Sequence, residues 1–191
     1  MGGRSRSAAL VAVLGVAVLG GCIGSISDED FDRKVQERGG GLSEDLTQEA
    51  VAALRDELHG DSVELTLISV MPSRVVMEVR VPGTAEDLDQ YSYGTSGAHG
   101  GVGLDGPEPI PHQESLEGEL FRADQVALDD IDEMVDTALA EADLAGGYAE
   151  GVSISRPGTG SDLGITVAVK NERRTLYAKF AADGTLLEVG E

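Results

Sequence analysis

The sequence has one cysteine and no tryptophan in 191 residues. A single thiol excludes an intrachain disulfide framework and any zinc site built on two or more thiolates. Lysine is scarce as well, confined to Lys34, Lys170 and Lys179. Basic side chains number 14 against 35 acidic ones, and the net charge of −21 would repel a phosphate backbone, so no nucleic-acid role is expected. Apolar content is not lacking: 41% hydrophobic with 26% charged describes a folded domain, not a disordered chain. The length suits one domain or two small lobes sharing a core, and is too short for a large multidomain enzyme.

The N-terminus carries the most specific signal. Arg4 and Arg6 form a basic start, Ala8 to Leu19 is an apolar run, and Leu19-Gly20-Gly21-Cys22 closes it. This is the charged, apolar and small-residue layout of a secretory signal. Its ending resembles the lipobox of bacterial lipoproteins, in which an aliphatic and two small residues precede the cysteine. The resemblance implies a diacylglyceryl group on the Cys22 thiol and cleavage just before it, with Leu19, Gly20 and Gly21 as the recognition residues. The competing reading is an uncleaved anchor helix, because the 19 residues from Ala8 to Ile26 carry no charge. A spanning helix needs about 20 apolar residues, and Gly15, Gly20, Gly21 and Gly24 dilute this stretch. A single acyl chain binds a membrane only marginally, whereas two or more hold it stably. The expected location is therefore the extracytoplasmic face of the cell membrane, through lipid on Cys22.

Residues 1–21 contain two arginines and no acid, so their removal takes the net charge from −21 to −23. A high-GC genome and a salt-adapted host both account for a composition this acidic and lysine-poor. Ile23 to Ser27 would form a tether reaching about 17–20 Å. An acidic body on so short a tether is repelled by anionic lipid and should stand off the bilayer. A short helix is expected from Asp28 to Arg38, acids first and bases last as the helix dipole favours, ended by Gly39-Gly40-Gly41.

Two similar units follow. In the first, Leu46, Ala50, Val51, Leu54 and Leu58 share a helix face over about 44–58, with Gly60 as the stop. Val63, Leu65 and Leu67 alternate with polar residues as a strand, Pro72-Ser73 turns the chain, and Val75, Met77, Val79 and Val81 return. A weaker strand passes through Gln90 to Tyr93. In the second, Asp130 and Glu133 have capping-box spacing, with Asp130 as the cap. Ile131, Val135, Ala138, Leu139 and Ala142 form the helix face, ended by Gly146-Gly147. Strands follow through Val152 and Ile154, then Ile165, Val167 and Val169, then Leu176, Ala178 and Phe180. Asp183-Gly184 signals a hairpin into Thr185 to Val189.

The expected fold is α+β, with two similar lobes, each a helix followed by three or four antiparallel strands and each burying its helix on its own sheet. The expected divisions are a signal peptide at 1–21, attachment and tether at 22–27, and a first unit at 28–93. A Gly/Pro-rich connector at 94–123 and a second unit at 124–191 complete them. The helix and sheet ending in Leu176-Tyr177-Ala178-Lys179-Phe180 and Asp183-Gly184 resemble small PepSY-type modules, which implies a noncatalytic extracytoplasmic domain associated with envelope proteins. The stretches Arg38-Gly39-Gly40-Gly41-Leu42 and Val79-Arg80-Val81-Pro82-Gly83 also resemble uncharacterised lipoproteins of actinobacteria, which implies no activity.

Candidate chemistry is weak throughout. Gly94-Thr95-Ser96-Gly97-Ala98 approaches a nucleophile elbow, but an elbow needs a helix after the serine and here a Gly/Pro-rich stretch follows. Gly100-Gly101-Val102-Gly103-Leu104-Asp105 matches the start of a calcium-binding nonapeptide repeat, yet such sites need stacked copies. The acids at Asp28–Asp32 and Asp129–Asp136 sit at helix starts, where dipole and solvation explain them, and lack EF-hand spacing. His59, His99 and His112 are scattered, with His59 placed at a helix C-terminus. Gly158-Thr159-Gly160-Ser161 falls in a strand–strand turn rather than at a helix start. No catalytic, cofactor or metal residue is assigned. The expected function is nonenzymatic binding of an envelope protein or peptide. The alternative is a carrier of an apolar small molecule or lipid. The sequence sets no oligomeric state.

Overall fold

Leu42 onward, the chain alternates helix-period and strand-period apolar patterns, and both are realised in the structure, a computed structural model describing residues 42–60, 63–95, 102–111, 115–158 and 160–191. The lipobox, Cys22, the tether and the expected helix at 28–38 lie outside these residues. Ser43 opens helix α1 (Glu44–Leu58): its hydroxyl accepts from the Leu46 amide, satisfying one of the free amides of the first turn. His59 closes α1 in the left-handed conformation, φ 51°. Four strands follow, β1 (Leu65–Met71), β2 (Arg74–Arg80), β3 (Leu88–Thr95) and β4 (Val102–Ile110). After two short 3-10 turns comes helix α2 (Ile131–Ala142), then β5 (Tyr148–Ser155), β6 (Gly164–Lys170), β7 (Thr175–Ala181) and β8 (Leu186–Gly190).

The eight strands form one antiparallel sheet in the order β4-β3-β2-β1-β5-β6-β7-β8. This corrects the expectation of two lobes with separate sheets. Each unit does have a helix and four strands, but the first strands of the two units pair with each other, from Leu67↔Ser155 to Val70↔Val152. Outward from that seam each half reads first, second, third and fourth strand, so the units are related by an approximate two-fold axis. The physical reason is edge disposal: joining at β1 and β5 satisfies two edges that separate lobes would leave unpaired.

Both helices lie on one face. α1 packs on β2, β3 and β4, and α2 on β5 to β8. Beneath them a continuous core runs across the seam through Leu54, Ile68, Met77, Ile154, Ile165 and Phe180. Phe121 extends it: its amide and carbonyl both bond to Leu65, at 2.9 and 2.8 Å, and its ring is buried.

Four local readings change. A bulge between Leu65 and Leu67 reverses the alternation, so the core side of β1 is Leu65, Ile68 and Val70, while Leu67 turns to the other face. Asp130 is the N-cap of α2, but its side chain makes no capping bond, so the capping box does not form. The helix stops at Asp143 in the left-handed conformation, φ 45°, ahead of Gly146-Gly147. The Gly/Pro-rich connector holds a full strand, β4, whose prolines are tolerated because it is a sheet edge.

Candidate interaction surface

On the face opposite the helices, alternate residues of the strands stay half exposed. One row crosses almost the whole sheet through cross-strand pairs: Ser92, Val76, Ser69, Ser153, Thr166 and Lys179. Apart from Lys179 these side chains are small or hydroxylated, and no helix among the described residues lies over them.

Charge is distributed unevenly between the two faces. From Asp129 to Asp143 the chain has seven acids and no base. On the sheet side three acids find a base: Lys170 Nζ meets Glu150 Oε1 at 2.8 Å, Lys179 Nζ meets Glu188 Oε1 at 2.6 Å, and Arg80 pairs with Glu64. Such exposed pairs contribute little to stability. Their consequence is a sheet face less acidic than the helix side. Lys179 holds the Glu188 carboxyl below the usual glutamate range, so that pair persists into mild acid.

At the two helix starts the acids crowd. The Glu44 amide donates to Asp132 Oδ1 at 3.1 Å, and Gln48 Nε2 donates to Asp129 Oδ1 at 2.9 Å. Desolvation first, then the charges of Asp132, Asp45, Asp129 and Asp130, raise the Glu44 carboxyl above its ordinary value of 4.5. A carboxyl raised on folding binds more protons in the native state. Stability is therefore lost as pH rises through this group, and the penalty is absent below the unfolded value. Glu44→Gln is expected to raise the melting temperature at pH 7 and low salt. The gain should shrink in about 0.5 M salt and vanish near pH 3. Calorimetry of the two proteins across pH checks this; an unchanged or lowered melting temperature at pH 7 would contradict it.

The remaining sequence motifs do not converge. Gly94 and Thr95 end β3, and Ser96, His99 and His112 fall outside the described residues. Val102 to Asp105, read as the start of a calcium repeat, are part of β4. The main chain around His59 closes α1, where the His59 amide donates to the Asp56 carbonyl at 3.4 Å. Between β5 and β6, away from any helix start, the Ser161 amide donates to the Gly158 carbonyl at 3.0 Å. Among the described residues, no three histidine, cysteine or acidic side chains are arranged to hold a metal ion, and no helix is long and apolar enough to cross a membrane.

Sequence reasoning missed the most exposed apolar side chains of the second unit. Leu187 is 66% exposed and Tyr177 43%, both toward the helix-free face. Tyr177 is uncovered because its partner across the β7–β8 ladder is Gly190. The doublet Leu186-Leu187 was the available signal: two adjacent leucines in a period-2 strand cannot both enter one core. A cavity of 470 Å³ lies beside Leu187 and is also lined by Pro157, Leu163, Asp162 and Ala181. A second cavity of 240 Å³ lies on the helix side, bordered by Asp130, Glu133, Asp183 and Leu186.

No protein-family model matches the chain, and comparison with curated proteins gives no significant match. A solved structure from Clostridium difficile 630, described as a "putative lipoprotein", is similar at a TM-score of 0.48 and 12% identity, over 75% of this chain and 90% of that one. Similarity at this level assigns no property to the present protein.

Proposed function

We propose that this protein is a lipid-anchored, extracytoplasmic, nonenzymatic domain that binds a protein or peptide partner in the cell envelope. The observation that carries partner binding is the helix-free sheet face, where three acids are neutralised by bases and the central side chains are small or hydroxylated, while the helix side stays acidic. Neutralised carboxylates can approach another protein at less desolvation cost than unpaired ones. Anchoring rests on Leu19-Gly20-Gly21-Cys22. The carrier reading draws on the 470 Å³ cavity. Ligand sites of that kind bury about 70–90% of the ligand surface, and this cavity is bordered by the exposed Leu187, which favours a docking surface over an enclosed store.

Affinity capture from envelope extracts with wild-type and Cys22→Ala protein tests the proposal, alongside mass spectrometry and membrane fractionation. The wild type should carry a diacylglyceryl mass and sediment with membranes, and Cys22→Ala should do neither. Both forms should recover an envelope protein, with recovery falling as salt rises. An unlipidated Cys22 would end the anchoring claim. Recovery of no envelope protein by either form, with copurified lipid instead, would replace partner binding by the carrier reading.

A further inference from the structure

The two edges of the sheet are not equivalent. β4 carries Pro107 and Pro109, which offer no amide and so blunt that edge against further pairing. β8 has no proline and no lysine, and its one charged side chain, Glu188, is held by Lys179. Among the described residues, only β7 pairs with β8. A bulge in the β7–β8 ladder sets Leu187 between the paired residues Leu186 and Glu188. Leu186 then borders the acidic cavity on the helix side, and Leu187 a mainly apolar cavity on the helix-free side. Consecutive residues of an unpaired edge thus adjoin two cavities of opposite character on opposite faces.

A strand added beside β8 would send its own side chains alternately to those two faces. Toward Asp130, Glu133 and Asp183 it would meet acids with no base among the lining residues, and on the other face the exposed Leu187 at the near wall of a mainly apolar hollow that Asp162 and Lys179 also line. The Asp183 carboxyl is held below the usual aspartate range by hydrogen bonds from Thr185, so it stays ionised there. We propose that the outer edge of β8 receives an extended segment of a partner protein whose side chains alternate basic and apolar. This rests on the partner-binding reading above and gives it a site and a recognition rule. A second copy of this chain is a poor occupant: β8 has no basic side chain to offer, and each copy brings a net charge of −21.

The test uses the purified protein and a short fluorescein-labelled peptide alternating lysine and valine. Two controls are the same peptide with glutamate for lysine, and one N-methylated along the backbone edge that would pair. Anisotropy should show binding weakened about tenfold or more by the glutamate exchange, by N-methylation and by Leu187→Asp. Affinity should also fall as salt rises from about 0.05 to 0.5 M. Leu187 is 66% exposed, so Leu187→Asp should fold normally, and circular dichroism checks that it does. Equal binding of both charge forms, or full binding by the N-methylated peptide, overturns the proposal. So does a dimer in sedimentation that Leu187→Asp abolishes, since the edge would then serve a second copy. Capture of the same envelope protein by wild type and Leu187→Asp alike sinks the edge site and leaves partner binding intact. Capture by neither sinks the underlying reading.

Discussion

Ile154→Ala is expected to cost about 2–5 kcal/mol, and to weaken both halves of the protein together. Ile154 sits on β5 at the seam, fully buried, and faces Ile68 of β1 across the ladder that joins the two units. Removing its side chain leaves a cavity bordered by both units, because the apolar core is continuous across the seam. A loss of that size is a large part of a typical stability of about 5–15 kcal/mol. Urea denaturation should give a single transition shifted to lower denaturant. Hydrogen exchange of amides in β2 and β6 should report the same reduced free energy. Two lobes with private sheets would behave differently: the first unit would keep its protection while the second lost it. Two resolved transitions, with only the second moved, would contradict the single-sheet account. The double variant with Ile68→Ala should cost less than the sum of the single losses, since the two residues border one site.

The seam also marks where sequence reading stops. Apolar periodicity located α1 to its end residues, placed α2, and found the core positions of β2, β5, β6 and β7, because one face of each element is buried and the other is not. Nothing in Leu67 to Val70 or Val152 to Ser155 states that those strands pair with each other, since each would be equally satisfied at the edge of its own sheet. The bulge at Leu65–Leu67 was hidden for a related reason: Leu65 and Leu67 are spaced as if on one face, and only the ladder shows the extra residue. β4 was missed because its glycines and prolines are strand breakers everywhere except at an edge. The candidate docking features follow the same logic. Glu188 and Leu187 are ordinary residues in the sequence, and only pairing with β7 shows one neutralised and the other turned outward. The proposed lipid attachment is the reverse case, resting on four consecutive residues and not on the fold.

Gly94→Ala is expected to destabilise the protein by about 2–5 kcal/mol, combining steric displacement with an unfavourable backbone conformation. In the sequence Gly94 reads as the start of a flexible connector, or as part of an imperfect nucleophile elbow. In the structure it is a packing position within β3, with φ 153°, paired to Arg74 on one side and Gly103 on the other. A Cβ there would lie 2.3 Å from the Ser73 carbonyl oxygen and 3.0 Å from the Arg74 Cα. Both are main-chain atoms of the tight β1–β2 turn and cannot swing aside as a side chain would. The substitution must therefore either part β3 from β2 or distort that turn. Gly103→Ala is the matched control, in the neighbouring strand of the same ladder. A Cβ at that position meets nothing within 4 Å, and the expected change is within about 0.5 kcal/mol. Thermal unfolding of the two variants distinguishes fit from composition. If both lose stability equally, glycine content alone governs this region. If Gly94→Ala alone fails, with exchange protection lost first in β3 and β4, the close approach at Ser73 is what holds the outer half of the first unit in register.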